Sequence, residues 1–334
     1  MTTYSYQVIE AGRVSTQEAT FRAATPRIEV RSPATVTTQF ALLTNDRVDV
    51  SLLHHNAAEF EKAYEPHLSR ARKRPSWRLS VPDNEEWCLL GGHPNFYHFV
   101  VNYLPRLAYY QAAKTEGSKK KRYVTAMDLP VRYYEYLARL GIGCADLMLV
   151  PRDVQIEISQ LTVASLPVYF SKRLTADLAA VEWLRQQYRV NLGGASRRVK
   201  VLLTRKHATH RRIVNEDVIF DLAAERGFIR VCPEDVSLDE LLGILQTADV
   251  LVTPFGAGAV NSLFCPSNAT VIELLGPSAL NKLNGVQLCA AAGQQTVRVV
   301  CEELNENMDW QYRDLRATKD DFARALDLLD LKSD

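Results

Sequence analysis

The chain has 334 residues, 47% of them hydrophobic and 24% charged, with a formal net charge of +1. That length allows one large or two medium domains with well-filled cores, and the near-zero charge removes any global attraction to nucleic acid or an anionic membrane, leaving only local patches. Six cysteines without a C-x-x-C pair argue against a zinc knuckle and for buried free thiols in a reducing compartment. The N-terminal MTTYSYQVIEAGRV has neither the basic head nor the apolar core of a signal peptide, so none is expected. No uncharged apolar run of about 18 residues is present to span a membrane.

Residues 1–80 alternate weakly and predict short strands and turns. Two basic runs, SRARKRPSWRLS (Ser69–Ser80) and KKKR (Lys119–Arg122), read as solvated loops, the alternative being peripheral contact with an anionic membrane surface. From residue 81, EWCLLGG predicts a buried strand and NFYHFVVNYLPRLAYYQAA a helix. RYVTAMDLP predicts a strand, VRYYEYLARLG a helix stopped by Gly141, and DLMLVP and ISQLTVASLP further strands. LTADLAAVEWLRQQY predicts a helix, and NLGGASRR (191–198) a Gly-rich joint. Strands alternating with helices indicate parallel α/β layers.

The second half is clearer. VKVLLTR (199–205) predicts a strand, followed by a basic loop and the helix NEDVIFDLAAERG, with Asn215 at its cap, Glu216 and Asp217 at its positive end, and Gly227 at its stop. FIRVCP is a strand, and SLDELLGILQTA opens with the capping box Ser237 and Glu240. DVLVTPF is nearly all apolar, as in a sheet covered on both faces. GAGAVNSLFCP turns into a short helix, ATVIELLG is a strand, and ATKDDFARALDLLDL is an amphipathic helix with Thr318 at its cap.

Six of the eight residues from Arg205 to Arg212 are Arg, Lys or His. Ligands of parallel sheets sit beyond the carboxyl ends of the strands. The basic loop follows one such end and the turn Gly256, Ala257, Gly258 follows another, so both features face one edge if their strands share a sheet. Glycines let a ligand approach the backbone, and arginines fork onto phosphate oxygens; together they predict a phosphate, most simply a diphosphate, site. Glu273, late in TVIELL, suits ribose hydroxyls; the alternative is a salt bridge to a nearby Arg, since an unpaired buried carboxylate is costly.

His98, Asn102 and Arg106 lie at i, i+4, i+8 on an otherwise apolar helix that Pro105 should kink. Such a stripe either faces a cleft or is satisfied in the core; the cleft is expected, with His98 its only base near neutral pH.

Three blocks in order, NFYHFVVNYLPRL, LLTRKHATHRRIVNEDVIFDLAAERGF and LLGILQTADVLVTPFGAGAVNSLFCPSNATVIELL, resemble glycosyltransferase family 61, particularly its bacterial members linked with surface polysaccharide synthesis. The resemblance covers roughly residues 85–300. It implies an α/β, GT-B-like architecture of two Rossmann-like domains facing across a cleft. The expected division is 1–165 for the acceptor side, 166–316 for the nucleotide-sugar side and 317–334 for the terminal helix. It further implies an inverting transferase that needs no bound metal or other cofactor, is cytoplasmic or peripheral on the inner membrane face, and uses a nucleoside-diphosphate-sugar donor and a glycan or glycolipid acceptor. Arg205, Lys206, Arg211 and Arg212 would contact the donor diphosphate, beside Asn215 and Glu216. Gly256, Ala257, Gly258 and Asn261 would form the second donor loop, Glu273 would take the ribose, and Asn102 and Arg106 would lie on the acceptor side. Two positions depart from the family pattern. Phe255 replaces a His before GAG, and Asn102 replaces an acid four residues after the helix His. Asn102 cannot accept a proton, which leaves His98, or another group such as Asp217, as the base; His98 is the expectation.

Two other classes compete. A nicotinamide-dependent oxidoreductase would use the Gly turn and Glu273, but its third glycine is Asn261 and the basic loop has no role. A nucleic-acid-binding module would align the basic patches at 70–78, 119–122 and 205–212, but few aromatics interleave with them and the net charge is near zero.

Overall fold

A computed structural model of the chain describes residues 2–37, 41–44, 47–49, 52, 57–113, 119–170, 174–193 and 197–330. The chain is a mixed α/β protein that divides into two compact units, one formed by Met1–Phe21 with Tyr188–Asp334 and the other by Arg22–Gln187. This differs from the expected boundaries after residues 165 and 316. The N-terminal strand Thr2–Glu10 pairs in parallel with Gln295–Val300, setting Gln7 opposite Val297 and Ile9 opposite Val299. The C-terminal helix Lys319–Asp330 is no separate appendage: Phe322, Ala325 and Leu326 share one core with Ile9, Val297 and Val299. Asp321 adds a hydrogen bond, accepting from the Gly12 N–H at 2.7 Å.

In the first unit, strand Ala248–Pro254 lies between Val199–Leu203 and Thr270–Leu275. Phe228–Val231 lies beyond the former and Gln295–Val300 beyond the latter, all parallel. Thr2–Glu10 follows, with Arg13–Ala23 antiparallel to it. Thr270–Leu275 is buried at every position, Glu273 included, as in a strand covered on both faces. After Val199–Leu203 the chain first adds a strand on one side and then, with Ala248–Pro254, on the other. Strand order therefore reverses between these two strands, which makes the crevice at their carboxyl ends the natural ligand position. Helices Glu216–Ala224, Leu238–Gln246 and Asn284–Ala292 connect the strands. Ser237 caps the second as expected, accepting from the Glu240 N–H at 3.2 Å. Asn215 stands at the cap position of the first without capping it. Its amide instead clasps the backbone of Ala317, donating to the carbonyl at 2.8 Å and accepting from the N–H at 3.1 Å.

In the second unit, strands Leu147–Val150, Lys120–Ala126, Glu85–Gly91 and Leu161–Ala164 form a sheet in that order, closed by the antiparallel Ile28–Arg31. Residues 1–80 hold more than short strands: Ala57–Arg72 is a helix containing Pro66. The basic run at 119–122 is not a loop patch, because Lys120, Lys121 and Arg122 open a strand and pair with Asp146, Glu86 and Glu85. Part of the Gly-rich joint, residues 194–196, lies outside the described residues. All six cysteines are free, with Cys144 alone exposed. Among the described residues no helix is long and apolar enough to cross a membrane.

Candidate functional site

The basic loop leaves the carboxyl end of Val199–Leu203, and the glycine turn leaves that of Ala248–Pro254. The two features meet. Gly256 has φ +140°, and a Cβ built on it would lie 2.8 Å from Arg211 Nη1 and 3.2 Å from Arg205 Nη1. The two Nη1 atoms therefore lie within about 6 Å of each other, where like charges repel by about 3 kcal/mol at an effective dielectric near 20. Among the described residues nothing acidic pairs with either guanidinium. Arg205 donates one long hydrogen bond, 3.4 Å, to the His210 carbonyl, and the Nε atoms of both arginines are buried without a partner among those residues. Burial, then the Arg205 charge, pulls Arg211 down to about 10, still cationic at neutral pH; burial also lowers Arg205. Arg211 itself holds a left-handed backbone, φ +55°, which costs a non-glycine residue about 1–2 kcal/mol. Two desolvated cations with open donors, one of them on a strained backbone, suit an anion: an anion between them would remove the repulsion and fill the empty donors.

The other basic side chains Lys206, His207 and Arg212 are held elsewhere. Lys206 and His207 both pair with Asp235. Arg212 forks onto Asp314, with Nη2 at 2.6 Å and Nε at 3.2 Å from Oδ2, while its N–H donates to Oδ1 at 2.9 Å. Asp314 thus turns Arg212 away from its neighbour Arg211. Burial acts to raise the Asp314 carboxyl, but hydrogen bonds and charge from Arg212 outweigh it and hold it below the usual range. Glu216 and Asp217 pair with Arg230. An open pocket of about 350 Å³ beside the loop is bordered by Arg205, Lys206, Arg212, Glu216, Asp217 and Arg230.

A Cβ added to Gly258 would meet nothing within 4 Å, so the turn stands open at that point. The Gly258 carbonyl accepts from the buried Asn261 amide at 2.9 Å, which braces the turn together with the short helix Ala257–Phe264. Glu273 is fully enclosed and bound by Arg298, its register partner on the next strand, at 2.9 Å. Burial raises its carboxyl against the opposing pull of that guanidinium. Arg298 further donates to the carbonyls of Ala279, Leu280 and Lys282. Of the two readings weighed for Glu273, the geometry is that of the salt bridge.

In the second unit, the predicted continuous helix is two pieces. His98–Tyr103 is a π-helical turn, Pro105 marks the junction, and Arg106–Ala112 is α-helical. Asn102 is buried and its amide nitrogen donates to the Val168 carbonyl at 2.6 Å, which leaves Asn102 Oδ1 as an acceptor facing His98 Nδ1 at 2.8 Å. In the neutral ring, His98 therefore holds its proton on Nδ1. Arg106 lies in the core instead of facing a cleft. It is fully buried, donates to the Leu90 and Leu52 carbonyls, and has no acidic partner among the described residues, so an acceptor could not reach it.

Sequence reasoning passed over His93, whose ring meets that of His98 edge-on with centroids 5.0 Å apart. Its signal was GGHPN directly behind the strand Glu85–Gly91. It also passed over Arg298 and Asp314. A buried acid in one parallel strand points to a base at the register position of the next, but nothing local marks Asp314, which is about a hundred residues from its partner.

A family model described as Glycosyltransferase 61 matches residues 96–272, a little more than half the chain. No curated protein matches it.

Proposed function

Since the chain belongs to glycosyltransferase family 61, we propose that it is an inverting transferase moving a sugar from a nucleoside diphosphate to a hydroxyl of a glycan or glycolipid, in surface polysaccharide synthesis. The observation that carries this reading is the Arg205–Arg211 pair against Gly256. The donor diphosphate lies there, narrowing the expected set of contacts, since Lys206 and Arg212 already hold carboxylates. As the bond from the anomeric carbon to the diphosphate oxygen breaks, negative charge grows on the leaving group. Pre-positioned guanidiniums in a partly dry site stabilise that charge without reorganising, the part a divalent cation would otherwise play. The acceptor oxygen bonds to the anomeric carbon from the opposite face and gives its proton to His98 Nε2. Asn102 keeps the imidazole in the tautomer that can take it. Two α/β units, each with a mostly parallel sheet, fit the GT-B class that this proposal includes.

The oxidoreductase alternative is not favoured, because the carboxylate it would need for a ribose is held by Arg298. The nucleic-acid alternative loses the patch at 119–122 to ion pairs. Calorimetric titration with inorganic pyrophosphate and a panel of nucleoside diphosphates tests the proposal. Saturable binding that disappears in the double variant Arg205→Ala, Arg211→Ala is expected. A folded wild-type protein that takes up neither pyrophosphate nor any nucleoside diphosphate would refute it.

A further inference from the structure

Beyond the family-matched residues, strands Glu302–Glu303 and Leu315–Arg316 pair antiparallel and carry a tip over 304–314. This hairpin is fastened along the basic loop. The Leu315 N–H donates to the Arg212 carbonyl at 2.8 Å, the Val214 N–H donates to the Leu315 carbonyl at 2.9 Å, and Asp314 holds the Arg212 guanidinium. The tip is tied from within as well. Glu303 accepts from the Ser278 N–H and hydroxyl and from Arg313, and Arg313 also donates to the Met308 and Glu306 carbonyls. So many polar ties fix a segment that buries little of its own apolar surface. Tyr312 is 49% exposed and Met308 45%.

The aromatic residues of this tip lie against the residues that precede Arg211 and Gly256. Tyr312 meets His210, the residue before Arg211, edge-on with centroids 5.2 Å apart. Trp310 meets Phe255, the residue before Gly256, at 6.3 Å, and carries the Lys282 ammonium over its ring at 5.5 Å. Burial, then the charges of Arg211 and Arg205, pushes the His210 imidazole down, so Tyr312 has a neutral neighbour on its edge. An exposed aromatic face held rigidly next to a phosphate-sized cation pair is what a nucleotide needs and what a lipid-linked sugar phosphate does not.

We propose that the 304–314 tip is the nucleoside subsite, the base stacking on Tyr312 with Trp310 closing its side, while the diphosphate lies on Arg205 and Arg211. This rests on the donor-site reading above and names the side chains that hold the donor's base. It also gives Phe255 a role: it braces Trp310.

The test compares inorganic pyrophosphate with UDP, CDP, GDP and ADP by calorimetry on the full chain, for wild type, Tyr312→Ala, Tyr312→Phe and Trp310→Ala. One nucleoside diphosphate should bind wild type about tenfold to a hundredfold more tightly than pyrophosphate, the range expected for one stacked base. Tyr312→Ala should bring it down to the pyrophosphate level without weakening pyrophosphate. Tyr312→Phe, which keeps the ring, should restore the difference, and Trp310→Ala should lose part of it. The inference fails if Tyr312→Ala binds the nucleotide as wild type does, or if wild type binds pyrophosphate and every nucleotide equally; in either case the anion site still stands. Absence of pyrophosphate binding in wild type would overturn the donor-site reading itself and this inference with it.

Discussion

Arg211 Nη1 lies 2.8 Å from the point where a side chain on Gly256 would begin. The guanidinium fills space that only glycine leaves open, and the glycine backbone at φ +140° is one that L side chains rarely adopt. Gly256→Ala should therefore displace Arg211 and strain the turn. We expect pyrophosphate affinity to fall by at least about tenfold, with stability lowered by roughly 1–3 kcal/mol. Titration and thermal melting measure both, and unchanged affinity would separate the turn from the anion site.

Arg211 and Arg212 are neighbours with opposite roles, so their removal should have opposite effects. Arg211→Gly removes a like-charge contact and a left-handed non-glycine residue, and should leave stability unchanged or raise it by about 1–2 kcal/mol, while weakening pyrophosphate binding about tenfold to a hundredfold. Arg212→Ala strips the nearly buried Asp314 of its partner. It should cost about 1–3 kcal/mol and change anion affinity less. Paired melts and titrations read the contrast; parallel behaviour of the two variants would contradict it.

The hairpin is a source of acid sensitivity. Burial acts to raise the carboxyls of Glu303 and Asp314, but hydrogen bonds from Arg313 and Ser278, and from Arg212, outweigh it, and both titrate below their ordinary range. A carboxyl depressed in the folded state contributes stability that is fully present above its unfolded value, near pH 4, and is lost as pH falls through the folded value. Asp314→Asn should lower stability at pH 7 and make its decline between about pH 4 and pH 2 shallower. Chemical denaturation across that range checks the slope, and an acid limb identical to wild type would dismiss the Asp314 contribution.

Asn102 is suited to its site because it is an amide. Its nitrogen donates to Val168 O and its oxygen faces His98. An acid at 102 could keep the second contact, but when ionised it would set an acceptor against the Val168 carbonyl. Asn102→Asp should thus cost about 1–3 kcal/mol without raising turnover, whereas His98→Gln should remove activity by a factor of about 100 or more. A faster, equally stable Asn102→Asp enzyme would show that the missing acid, not the amide, matters.

Arg298 and Glu273 form the buried ion pair at the centre of the first unit's sheet. Arg298→Leu leaves an uncompensated carboxylate and should cost about 3–5 kcal/mol, measured by urea unfolding; a loss below about 1 kcal/mol would mean the carboxylate is neutral in the native state.

The second half of the fold was readable because its signals are local. Ser237 with Glu240 marks a helix start, and VKVLL, DVLVTP and TVIELL are short, apolar and bounded by turns or charge, so the parallel order followed. The meeting of Arg205, Arg211 and Gly256 was likewise expected from strand ends alone. What escaped depends on distant partners or on dilute patterns. The helix Ala57–Arg72 contains Pro66, which argues against a helix although Phe60, Tyr64, Leu68 and Ala71 recur at helical spacing. The π-helical turn at His98–Tyr103 cannot be told from an α-helix by residue spacing. Charge alone did not reveal that Lys206 and Arg212 already have partners, because Asp235 and Asp314 lie outside the loop.

The parallel pairing of Thr2–Glu10 with Gln295–Val300 has a practical consequence for dissecting the protein. The arginine-bearing unit is built from two separate stretches of chain, with residues 22–187 interpolated between them. A fragment beginning at residue 188 would expose the edge of Gln295–Val300 and invite sheet-to-sheet aggregation. Grafting residues 1–21 ahead of residue 188 would give Gln295–Val300 back its parallel partner, but deleting the interpolated segment also removes Leu174–Ala176, the neighbour of Arg13–Ala23 in the same sheet, and moves the bare edge there.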